Sequence, residues 1–65
     1  MPSSVIRSFD YDPDERRLDI EFVSGRRYSY LDVPIEEAAT MQRASSMGGF
    51  FNRRIRDHYD YVEQA

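Results

Sequence analysis

The stretch Leu18-Asp19-Ile20-Glu21-Phe22-Val23-Ser24-Gly25-Arg26-Arg27-Tyr28-Ser29-Tyr30 decides the fold. Leu18, Ile20 and Phe22 recur at period two, the pattern of a strand with one buried face. Ser24-Gly25 is a turn signal, because glycine adopts positive φ without steric cost. Tyr28 and Tyr30 continue the alternation on a following strand. Facing residues of an antiparallel pair share a face, so the loop length sets the register. A two-residue loop at 24–25 puts Phe22 opposite Arg27 and Ile20 opposite Ser29. A three-residue loop at 23–25, with Gly25 in a bulge, puts Ile20 opposite Tyr28 and Leu18 opposite Tyr30. Only the second keeps the apolar residues on one side, and it is the register expected.

Upstream, residues 4–12 form a first strand. Val5, Arg7, Phe9 and Tyr11 share one face, and Ile6 points away unless a bulge rotates it. Asp12-Pro13-Asp14-Glu15 is a turn whose carboxylates accept local backbone hydrogen bonds. Downstream, Val33-Pro34 ends the sheet and a helix follows over about 34–44, with Glu36 and Glu37 at the positive end of its dipole. Ile35, Ala38 and Met41 give its narrow apolar stripe. Ser46 is the N-cap of a second helix over about 47–57, on which Phe51 and Ile55 face the same way. Residues 58–65 are a tail expected to fray unless Tyr59 or Tyr61 docks. The expected fold class is α+β: a three-stranded antiparallel meander, then two helices packed on one face, β-β-β-α-α.

Size and composition limit the rest. A chain of 65 residues is one domain, 1–65, and buries only about 60% of its unfolded surface. With no cysteine and a single histidine, His58, neither a disulfide nor a structural zinc site reinforces it. Four Phe and five Tyr must carry much of the core. No apolar run reaches the ~20 residues of a membrane helix. Met1-Pro2-Ser3-Ser4-Val5 lacks the basic-then-apolar order of a secretory signal. A cytoplasmic protein with no membrane partner is expected.

The charge of −3 is unevenly spread: residues 24–56 are net positive, between acidic ends. All nine basic side chains are Arg, a bias that a GC-rich coding sequence produces without selection for phosphate binding.

The succession Ser4-x-Ile6, Tyr11-Asp12, Leu18-x-Ile20-x-Phe22, Ser24-Gly25, Tyr28-x-Tyr30, Val33-Pro34, Ala44-x-Ser46-x-Gly48-x-x-Phe51-Asn52-x-x-Ile55 resembles the KTSC domain. That domain is named for its occurrence at the C-terminus of some lysyl-tRNA synthetases, and it also occurs as a small stand-alone bacterial and phage protein. The resemblance spans nearly the whole chain. Tyr28 and Tyr30 match the family's aromatic pair, and Ser46, Gly48 and Asn52 match its polar turn. The family carries no established activity; RNA binding is what its synthetase company implies. The absence of Lys and the acidic balance are departures from what that role favours.

Each candidate feature has a structural and a functional reading. Tyr28 and Tyr30 suit base stacking on an open sheet, but share a face with Leu18, Ile20 and Phe22, so core packing with Phe51 and Ile55 is favoured. Arg26, Arg53, Arg54 and Arg56 are the candidate phosphate contacts; Arg27 faces Asp19 and Glu21 and is a poor one. Ser46, Gly48 and Asn52 suit either an anion nest or simple helix capping, with capping favoured. Ser46 and His58 do not make a nucleophile–base pair, since a helix of that length separates them by ~15 Å. Pro13 breaks any calcium-loop pattern in the acidic turn, and no phosphate loop or dinucleotide fingerprint is present. The expectation is therefore a non-enzymatic binding or accessory module of unknown specific function, without metal or cofactor, for which the family resemblance implies RNA as a partner. The alternative is a protein-interaction module acting through an exposed strand edge or the groove beside the second helix. A monomer or weak homodimer is expected, because the outer sheet face is polar and mixed in sign.

Overall fold

A computed structural model describes residues 6–64. The strands are β1 (Ile6–Asp12), β2 (Arg17–Phe22), β3 (Arg27–Tyr30) and β4 (Tyr61–Gln64). Between β3 and β4 lie α1 (Ile35–Arg43) and α2 (Met47–Phe50), the latter running directly into a π-helical turn, Phe51–Ile55. The four strands form one antiparallel sheet in the order β1-β2-β3-β4.

The β2–β3 hairpin has the expected register, with Ile20 opposite Tyr28 and Leu18 opposite Tyr30. The Phe22 amide donates to the Arg26 carbonyl at 2.9 Å and the Gly25 amide to the Phe22 carbonyl at 2.9 Å, closing a loop over 23–25. Gly25 sits at φ 95°, where a side chain would be strained. On β1 the register shifts between Ile6 and Ser8, so Arg7 is the extra residue of a bulge. Arg7 is therefore exposed, contrary to the alternation that put it beside Phe9, and Ile6 turns inward opposite Phe22. The expectation for Val5 falls outside the described residues. Asp12 accepts from the Asp14 and Glu15 amides at 3.0 and 3.3 Å, as its turn demands.

The main correction concerns the C-terminal tail. Residues 58–65 were expected to fray and β3 to be an edge, giving three strands; instead β4 pairs with β3 and the sheet has four. Both tail tyrosines dock. Tyr61 packs on Tyr28 and Tyr30, with both centroid distances 5.2 Å. Tyr59 donates to Glu37 Oε2 at 3.0 Å. On the outer face, Gln64 Nε2 donates to Ser29 Oγ at 2.8 Å, and Ser29 Oγ donates to Asp19 Oδ1 at 2.6 Å. Arg17 Nε meets the same carboxylate at 3.1 Å, so one polar chain stitches β2, β3 and β4.

The core lies between sheet and helices: Leu18, Ile20 and Tyr30 below; Val33, Ala38, Met41, Phe50, Phe51 and Ile55 above. Ile35, expected in the α1 stripe, is exposed, and Glu37 turns inward to meet Tyr59 and Arg54. Val33 is pinned twice: its amide donates to the Arg16 carbonyl at 2.9 Å and its carbonyl accepts from Tyr11 Oη at 2.6 Å. These bonds fix how the chain leaves the sheet for α1.

Ile55 is wholly buried where the π turn meets the sheet, whereas Val62 on β4 is about half exposed. Ile55→Ala is expected to cost about 2–5 kcal/mol in urea unfolding, and Val62→Ala within about 0.5 kcal/mol. Equal losses would mean that β4 contributes to the core as the π turn does.

Candidate functional site

The hairpin, the π turn and β4 enclose a cleft of about 590 Å3. Its floor is aromatic, for a reason legible in the register. Alternation sends Phe22, Tyr28 and Tyr30 to the inner face, and the β3–β4 pairing sets Tyr61 opposite Tyr30. Phe51 lies edge-on to both Phe22 (5.6 Å) and Tyr30 (5.3 Å), and Phe22 edge-on to Tyr28 (5.4 Å). Such geometries match ring edge to ring face.

Exposure grades along this ladder. Tyr30 is 3% exposed, Tyr28 is half-buried and Tyr61 is 52% exposed. The aromatic pair thus divides its labour: Tyr30 serves the core as expected, while Tyr28 keeps part of its ring open to the cleft.

Arg26, Asn52, Arg56 and Asp57 line the polar side. Arg26 holds its proton more firmly than an ordinary arginine, chiefly through the Tyr28 hydroxyl beside it and next through the Glu63 charge. Arg56 and Asp57 both lie near enough to the Tyr30 phenol to influence it, with opposite signs. The other two sequence candidates go elsewhere. Arg54 pairs with Glu37 Oε2 at 3.7 Å, and its guanidinium lies 6.0 Å from the Phe50 ring centroid. Arg53 is exposed and does not line the cleft. The four candidate arginines therefore do not converge; Arg26 and Arg56 do.

Ser46 acts as a cap. Its hydroxyl accepts from the Gly49 amide at 3.1 Å, which occupies one of the donors an anion would use. Gly48 is buried at this junction, and Asn52 belongs to the cleft instead. Sequence reasoning missed Tyr61 and Asp57 as cleft residues; the signal available was the second Tyr-x-Tyr, Tyr59-Asp60-Tyr61, in the tail. A second hollow, of about 660 Å3, lies on the outer sheet face. Its Asp19 and Ser29 are engaged in the polar chain from Arg17 to Gln64.

The family model of the KTSC domain matches residues 2–59. The chain belongs to the KTSC domain family. An uncharacterized protein of Stutzerimonas stutzeri is 40% identical over 62 residues, covering 94% of this chain and 87% of that protein. A lysine–tRNA ligase of Nostoc sp. is 33% identical over 60 residues. That match covers 92% of this chain but only 11% of the ligase, so the KTSC chain spans about a tenth of that relative. The crystal structure of a KTSC domain protein from Yersinia pestis superposes with a TM-score of 0.90 at 36% identity, covering 100% of this chain and 92% of that one. Within this KTSC chain, Tyr61 lies beyond the range that the family model matches.

Burial pushes the Tyr30 phenol up from 10.0 to about 12, with the neighbouring Tyr61 adding to it. A raised phenol favours folding while protonated. Its contribution is complete below pH 10 and is lost as pH rises through about 12. Alkaline titration by tyrosinate absorbance, alongside circular dichroism, should show Tyr30 ionising together with unfolding. Tyr30→Phe should move the alkaline midpoint upward; an unchanged midpoint would mean that Tyr30 is not the group that titrates.

Proposed function

We propose that this chain is a non-enzymatic accessory module that binds single-stranded RNA. An unstacked base enters the cleft against Tyr28 and Tyr61, and the flanking phosphates meet Arg26 and Arg56. The observation that supports this reading is one cleft in which partly open aromatic rings stand beside two arginines, neither held in a carboxylate ion pair among the described residues. Stacking on such rings is worth about 1–3 kcal/mol per base and needs a base free of its duplex partner. The presence of matching segments in lysine–tRNA ligases of Nostoc and Trichormus agrees with an RNA partner. The non-enzymatic part is supported by the fate of the reactive side chains. His58 is exposed, and the Ser46 hydroxyl is used in capping.

A second reading has its own observation. β4 is an outer strand bearing exposed Tyr61 and Val62, and neither bulge nor proline blunts it, so a partner strand from another protein could extend the sheet there. Binding to β4 would depend little on salt.

Fluorescence anisotropy of a labelled single-stranded RNA across salt concentrations separates them. Two phosphate contacts predict a log–log slope of about −1.4. Arg26→Ala and Arg56→Ala should each flatten it by about 0.7, and Arg53→Ala should leave it unchanged. No binding at low salt would remove the RNA reading and leave the strand edge.

A further inference from the structure

The polar wall of the cleft holds more than phosphate contacts. Asn52 stands in the π turn directly after the buried Phe51, and Asp57 follows Arg56 just beyond it. Among the described residues neither side chain takes part in a hydrogen bond or ion pair within the fold. No buried side-chain polar atom there lacks a partner, so the free Asn52 carboxamide is reachable from solvent. The turn itself is irregular: the Arg56 amide donates to the Phe51 carbonyl five residues back, at 2.9 Å. Single π turns of this kind are rare and are frequently found at functional sites.

The chemistry of these two groups is specific. A carboxylate only accepts hydrogen bonds, whereas a carboxamide donates and accepts in one plane. Beside an aromatic platform, that pair complements a base offering an amino group next to a ring-nitrogen acceptor. Adenine does so on both of its edges, and a carboxamide matches adenine in a bidentate pair. Uracil offers a carbonyl oxygen where adenine has its amino group, and the Asp57 carboxylate repels it.

We infer that the cleft selects adenine over bases lacking the amino group, with Asn52 pairing the base edge and Asp57 accepting from its exocyclic amine. This inference rests on the RNA-binding reading and names the kind of base it prefers, one with an amino group beside a ring-nitrogen acceptor. A carboxylate in the same cleft as two arginines also weakens indiscriminate phosphate binding while favouring an amino-bearing base.

The test compares three labelled single-stranded oligoribonucleotides of equal length, built from adenosine, from purine riboside (adenosine without its amino group) and from uridine. Wild type should favour the adenosine oligomer by about tenfold or more over both others. Asn52→Ala and Asp57→Ala should each collapse that ratio toward one while keeping the salt slope. Asp57 is exposed, so its variant keeps the fold, which circular dichroism verifies. Equal wild-type affinity for all three oligomers overturns the inference and leaves RNA binding standing. A preference that survives both substitutions overturns the assignment to these residues. No binding to any oligomer removes the RNA reading and this inference with it.

Discussion

Everything in this molecule depends on where the β2–β3 hairpin turns. Gly25, at φ 95°, allows three loop residues where two would otherwise fit, and that single residue sets the parity of β3 against β2. With it, Tyr28 and Tyr30 join Ile20 and Leu18 on the inner face, and Ser29 falls on the outer one. Without it, Arg27 and Ser29 would face the helices and both rings would turn outward. The same parity sets β4, because Tyr61 and Val62 pair with Tyr30 and Ser29. Core, cleft and the outer polar chain from Arg17 to Gln64 therefore share one cause.

Size explains why the aromatic ladder is only partly covered. Two short helical segments lie over a four-stranded sheet, too small to cover all of its inner face. Val33, Met41, Phe51 and Ile55 seal the end holding Leu18, Ile20 and Tyr30. The end holding Phe22, Tyr28 and Tyr61 is left as a groove. Tyrosine suits that boundary because its ring tolerates burial while its hydroxyl remains in a polar setting. Tyr30 and Tyr28 occupy the two sides of it: one ring is packed in the core and the other stays partly open to the cleft.

Much of this was legible in the chain itself, and the rest was hidden for identifiable reasons. The Leu18-to-Tyr30 alternation, the Gly25 turn, the Pro34 helix start and the Ser46 cap each rest on local chemistry, and each is found where it was expected. Arg7 was misplaced because alternation assumes constant parity, which a bulge breaks. β4 was missed because its four residues are all exposed and carry no apolar alternation; only pairing with β3 makes them a strand. The four arginines looked like one patch because Glu37 is distant in sequence from Arg54, and only the packing of α1 beside the helical turn brings them together. The π turn has no sequence signature at all, yet it carries Asn52 into the cleft.

The net charge of −3 sets the terms on which a polyanion can be bound. A long-range field of that sign does not draw RNA in, so binding must arise from short-range contacts that outweigh it. On the proposed reading, two arginines beside a stacking surface would meet that condition for a base with one or two phosphates, and would fail it for a long duplex that offers only backbone. On the outer face, which is mixed in sign, Asp10 stands opposite Asp19 and Arg17 is already paired with Asp19. The groups lining the cleft come from one hairpin, the π turn with the two residues after it, and one strand within these 65 residues. The matching segment makes up most of one relative and about a tenth of another.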